Sequence, residues 1–136
     1  MLSNKIGQQT FIFRNRPEIL GTGSVVGVKE GKGPLGKSFD VVLEEDMFGE
    51  KTWEMAESKM LSESINIAMR KAGKNQDQID AILSGDLLNQ LMSSSFSAKD
   101  FSVPFLGIYG ACSTMAESIL LGCVLVDGGY ANTVVA

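Results

Sequence analysis

Apolar residues recur at helical steps along the middle of the chain, where Trp53, Ala56, Met60, Leu61, Ile65, Ala68, Met69 and Ala72 share one side and Gly73 follows as a stop. The spacing predicts one long helix over 51–72. Two short β-type runs precede it, 10–13 and 23–28, the second grouping Val25, Val26 and Val28. Between them and the helix, Gly31, Gly33, Pro34 and Gly36 predict a loop over 29–37. The stretch 38–43 is compatible with either an extended segment or a helix start.

Beyond a polar turn at 74–78, Ile79-Asp80-Ala81-Ile82-Leu83-Ser84-Gly85 is a short apolar run closed by glycine, the pattern of a buried strand. A helix leading into a buried strand implies a crossover connection. Helical turns are expected at 87–92 and 94–101, a second buried strand at 105–108, and a helix over 112–126 carrying Met115, Ala116, Ile119, Leu120, Cys123 and Val124. A further strand begins at 133–136. No turn or cap follows Ala136, so the expected unit over 1–136 is cut within a strand. This alternation predicts an α/β architecture, a mostly parallel mixed sheet with helices on both faces.

Composition narrows the chemistry. The 136 residues contain no histidine and two cysteines, so Ser-His-Asp and Cys-His pairs and any His-ligated metal cannot be built from them alone. The net charge of −4 is uneven: residues 1–74 hold 11 basic and 10 acidic side chains, residues 75–136 hold 1 and 6. No basic tract points to nucleic acid. The longest apolar stretch, through Leu120 and Val126, falls far short of the ~18 residues of a membrane span, and the first ten residues lack the apolar segment of a secretory signal.

Three groups carry candidate chemistry. Gly31-Lys32-Gly33-Pro34-Leu35-Gly36-Lys37-Ser38 satisfies the phosphate-cradling pattern, which requires a helix starting at Lys37-Ser38 and amides aimed outward; a glycine-rich connection is the plainer reading. Gly110-Ala111-Cys112-Ser113-Thr114 lies at a strand-to-helix elbow. There a thiol at a helix N-terminus favours thiolate, or else Cys112 is a small buried residue demanded by a tight turn and Ser113 or Thr114 a cap. Cys123 lies roughly 16 Å further along the same helix and reads as core, beyond disulfide reach. Glu44-Glu45-Asp46 lacks calcium-loop spacing and reads as a solvated turn.

The segments Ala68-Met69-Arg70-Lys71-Ala72-Gly73, Ile79 to Gly85 and Gly110-Ala111-Cys112-Ser113-Thr114 resemble, in order and spacing, the N-terminal half of the thiolase-like superfamily. The nucleophilic cysteine of that superfamily falls on Cys112, and the tail from Gly128 to Ala136 looks like its following strand. Within it, Thr10-Phe11-Ile12-Phe13, the Gly31 to Gly36 block with Phe39-Asp40, Thr52-Trp53-Glu54 and Gly85-Asp86-Leu87-Leu88-Asn89-Gln90 resemble the stage V sporulation protein AD family.

That resemblance implies a thiolase-like fold of which 1–136 is an N-terminal half-domain, a homodimer, and no nucleotide chemistry at Gly31 to Ser38. It implies non-enzymatic binding of dipicolinic acid (pyridine-2,6-dicarboxylate), with calcium, for uptake into developing spores. The expected setting is the periphery of the spore inner membrane, beside other spore-membrane transport proteins. No cofactor and no protein metal site are expected. Ligand contacts are expected from Gly110, Ala111, Cys112, Ser113 and Thr114. The alternative is an acyl transferase using Cys112 as nucleophile.

Overall fold

The structure, a computed structural model, describes residues 5–136. In chain order come a hairpin of β1 (Lys5–Ile6) and β2 (Thr10–Phe11), then β3 (Val25–Val26), a single helical turn α1 (Val28–Gly31) and β4 (Val41–Val42). The long helix α2 (Trp53–Lys71) follows, then β5 (Ala81–Ser84), α3 (Met92–Ala98), β6 (Phe105–Gly107), α4 (Thr114–Asp127) and β7 (Val134–Val135).

The core is built on β5. Ile82 and Leu83 are each 1% exposed, because this strand is covered on both faces and paired on both edges, by β6 on one side and β7 on the other, all parallel. Ile82 is level with Phe105 and Val135 in the register, and Ile65 of α2 packs on that row together with Ile79 and Phe101. Val134 points the other way and meets Gly122 of α4. Two crossovers of the same hand that step in opposite directions, β5 to β6 and then β6 back past β5 to β7, put their helices on opposite faces. The α/β reading with helices on both faces therefore holds.

Helix α2 is bounded as its sequence predicts. The Thr52 hydroxyl accepts from the Met55 amide (3.2 Å) and caps the first turn. At the other end Gly73 adopts φ +64, and the amides of Gly73 and Lys74 reach back to Arg70 and Met69, closing the last turn. Its buried set differs from expectation: Trp53 is 56% exposed, whereas Ile67 is buried.

Two further expectations are corrected and one open reading is settled. The strand over 23–28 is confined to Val25–Val26; Val28 instead opens α1, its amide held by the Asp46 carboxylate. That strand pairs with β4, which settles 38–43 as extended, so β3 and β4 form their own parallel pair outside the central sheet. In α4 the buried positions are Ser118 and Gly122 rather than the large apolar residues, and Met115 is 74% exposed. Only small side chains allow a helix this close to β7: a Cβ on Gly122 would lie 3.0 Å from Val134.

The segment before β3 is strapped to α2 by close approach. A Cβ on Gly23 would overlap the Ser64 carbonyl, and one on Gly21 would lie 2.5 Å from the Ala68 carbonyl. Asp40 ties the same region from outside, accepting from the Ser24 amide and hydroxyl and pairing with Lys71 at the end of α2. The Lys71 ammonium holds the Asp40 carboxyl below its ordinary value. At the opposite edge, Asp80 accepts from the amides of Thr133 (3.0 Å) and Asn132 (2.6 Å), which hold its carboxyl low as well and seat β7 beside β5.

Two outcomes follow for stability. Gly23→Ala should destabilise by roughly 1–3 kcal/mol through overpacking, read as a lower urea midpoint at unchanged slope. A lowered folded-state pKa makes the Asp80 contribution present above the ordinary value of 3.8 and lost as pH falls through the folded value. Asp80→Asn should therefore weaken the fold at neutral pH and flatten the acid limb of a stability-against-pH curve.

Candidate functional site

The C-terminal ends of β5 and β6 lie side by side, and the chain leaves β6 into the elbow that opens α4. Its position depends on Gly85: a Cβ there would overlap the Ile108 carbonyl and lie 3.1 Å from the Thr114 methyl. The strand end and the elbow thus touch through backbone. In parallel α/β sheets this is the end at which ligands bind.

The structure brings the five expected residues into one turn. Gly110 precedes Ala111–Ser113, a turn of 3-10 helix, and Thr114 begins α4. The amide and hydroxyl of Ser113 both donate to the Gly110 carbonyl (3.0 and 2.7 Å), the Thr114 amide donates to the Ala111 carbonyl, and the Gly110 amide donates to the Thr114 hydroxyl (3.3 Å). Those bonds hold the turn closed. They leave the amides of Ala111 and Cys112 as the elbow pair without a partner among the described residues.

Ala111 has φ +50, a left-handed conformation that costs an alanine about 1 kcal/mol or more. Strain of this kind persists only where its surroundings over-determine it. Cys112 follows directly and is exposed, so the reading of a small buried residue is corrected: the turn is tight, but it presents the thiol outward. Cys123 is half-buried and lines a cavity of about 460 Å³ between α2, α4 and β7, whose nearest approach to the elbow is Met115.

The most telling neighbour of the elbow is one that sequence reasoning passed over. The Glu117 carboxylate, one turn into α4, lies over Gly110 together with the Ser113 hydroxyl, in space that a Cβ would fill. An acidic group therefore stands over the start of the elbow. The only signal for it is its place in the first turn of the helix after the elbow.

The other candidates fold into structural roles. In the glycine-rich stretch the amides of Gly31, Lys32, Gly33, Gly36 and Ser38 donate to carbonyls of the stretch itself or of Gly27, Val28 and Glu30 just before it. A 3-10 turn at Gly36–Ser38 leads into a strand instead of a helix. No phosphate cradle is formed. The carboxylate of Glu45 accepts from the amides of Met47 and Gly49, and Asp46 caps α1, as a turn requires.

The family described as Stage V sporulation protein AD (SpoVAD) matches residues 7–136. The Stage V sporulation protein AD of Bacillus subtilis (strain 168) is 39% identical over 130 residues, which cover 96% of this chain and 38% of that protein. The chain thus spans well under half the length of that relative.

Strain at Ala111 gives a direct expectation. Ala111→Gly should stabilise by up to about 1 kcal/mol while loosening the elbow. Denaturation reads the first, and faster alkylation of Cys112, followed on its own peptide by mass spectrometry, reads the second.

Proposed function

The chain belongs to the stage V sporulation protein AD family, and on that premise we propose that its elbow binds dipicolinate, as the calcium chelate, in a protein that supplies this ligand to developing spores. The observation that carries the reading is the family match over residues 7–136. The fold of the whole protein is then thiolase-like, with the five elbow residues in the position of that superfamily's nucleophile turn.

Geometry adds a chemical argument for the chelate over the free acid. Two unpartnered amides at Ala111 and Cys112, at the N-terminal end of a 14-residue helix, suit one carboxylate of the ligand. Glu117, over the adjoining Gly110, would repel a bare dianion. A calcium ion held between the ligand carboxylates turns that repulsion into attraction, since calcium takes several oxygen ligands from carboxylates at flexible geometry. The Cys112 thiol lies within this turn and shapes it without covalent chemistry. Homodimerisation, work at the periphery of the spore inner membrane and contact with other transport proteins there belong to the same proposal. Among the described residues no helix is long and apolar enough to cross a membrane.

A second reading is favoured by one observation, the exposed Cys112 behind a strained residue. In it the Cys112 thiolate attacks a thioester carbonyl, the acyl group moves to sulfur and the carrier thiolate leaves. An acyl adduct on Cys112 after incubation with acyl-CoA would establish this reading, and an unmodified mass would remove it.

The test of the first reading is a calorimetric titration of dipicolinate into the full-length protein, with and without calcium. Saturable binding that is tighter with calcium is expected. Glu117→Gln should abolish the calcium dependence while leaving the weaker binding of the free acid unchanged or improved. No binding to folded protein would overturn the assignment.

A further inference from the structure

Behind the elbow, α2 and α3 meet across a seam that is polar rather than oily. Ser93, Ser94 and Ser97 of α3 are all buried, Ser93 and Ser97 completely. The Ser97 hydroxyl bonds that of Ser62 on α2 (2.9 Å). The buried Asp86, directly after Gly85, accepts from the amide and hydroxyl of Ser94 (2.8 and 2.7 Å) and so caps α3.

Among the described residues two buried side-chain atoms of this seam make no full hydrogen bond: the Glu57 carboxylate oxygen Oε2 on α2 and the Ser93 hydroxyl, which lies near Glu57. An unpaired buried polar atom is costly, and an unpaired buried charge more so. The charges that bear on Glu57 are Asp86 and Glu54, both negative. The elements packed on α2, namely α3 and β3, contain no titratable residue. On α2 itself Lys59 is engaged with Glu50 (3.1 Å) and the Phe48 carbonyl (2.8 Å).

We propose that Glu57, Ser93 and Asp86 form a proton-binding site, in which Glu57 takes up a proton that removes its own charge beside Asp86 and whose loss loosens the support of the elbow. Burial pushes the Glu57 carboxyl above its ordinary value, and the neighbouring carboxylates of Asp86 and Glu54 push the same way; the Ser93 hydroxyl, close by but short of a full hydrogen bond, is the one group that favours the ionised form. The route to the elbow is short. Asp86 is joined to Gly85, whose backbone bears on Ile108 and Thr114.

The sign of the effect is fixed. A carboxyl with a raised folded-state value binds its proton more tightly when folded, so its contribution is present at low pH and is lost as pH rises through the folded value. Urea unfolding of the full-length protein at about pH 5 and about pH 8 should therefore show Glu57→Gln more stable than wild type at the higher pH and close to it at the lower. Asp86→Asn cannot serve in this comparison, because it also removes the α3 cap. Should Glu57→Gln fail to fold, wild type alone carries the test: the rate of Cys112 modification by a methanethiosulfonate should show a step in mildly acidic solution in addition to the titration of the thiol. Glu57→Gln less stable at both pH values, or a single thiol step in wild type, would overturn the proposal. No ligand enters either measurement, so failure here is separate from failure of the dipicolinate reading.

Discussion

The contact between Gly85 and the Ile108 carbonyl is the constraint on which the rest of the site depends. It exists because the strand that ends at Ser84 is buried on both faces and paired on both edges, so its end point is not free to move. A residue with a side chain at position 85 would push the elbow away from the sheet. With glycine there, the chain leaving β6 turns directly against the end of β5. The turn is closed by its own Ser113 and Thr114 bonds, and what remains outward is the Cys112 thiol and two amides. The same strand end then carries Asp86 into the α2–α3 seam. Elbow and seam are two sides of one piece of backbone.

Electrostatics around that backbone are one-sided. Glu117 stands over the elbow and Asp86 and Glu57 lie in the seam, Glu117 and Asp86 within residues 75–136, where acidic residues outnumber basic ones. A helix N-terminus supplies partial positive charge equivalent to about half an elementary charge. With Glu117 over Gly110 an anion alone is repelled, whereas an anion that brings its own calcium is not. The chelate reading and the proton-binding seam are thus two responses to the same surplus of negative charge.

Much of this was legible from the chain alone, because it rests on local signals. The period of α2, its threonine cap and glycine stop, and the apolar run of β5 each specify their element without knowledge of the remainder. The elbow was legible as a strand-glycine-helix junction with Cys112 in it. What was not legible depends on contacts between distant segments. Val28 leaves the strand pattern because Asp46 captures its amide, and no periodicity announces that Trp53 is exposed while Ile67 is buried. The strain at Ala111 and the reach of Glu117 over Gly110 are properties of a folded turn. The seam was invisible for the same reason: a run of serines reads as polar surface, and only the packing of α3 on α2 turns Ser93 and Ser97 into interior groups.

The central claim is that ligand sits on the elbow, and protection of Cys112 tests it most directly. The full-length protein would be alkylated in the presence of increasing dipicolinate and calcium, with Cys112 and Cys123 followed separately by peptide mass. The account predicts saturable protection of Cys112, with Cys123 unchanged. Binding detected by other means with Cys112 as reactive as before would contradict it and place the ligand elsewhere on the protein.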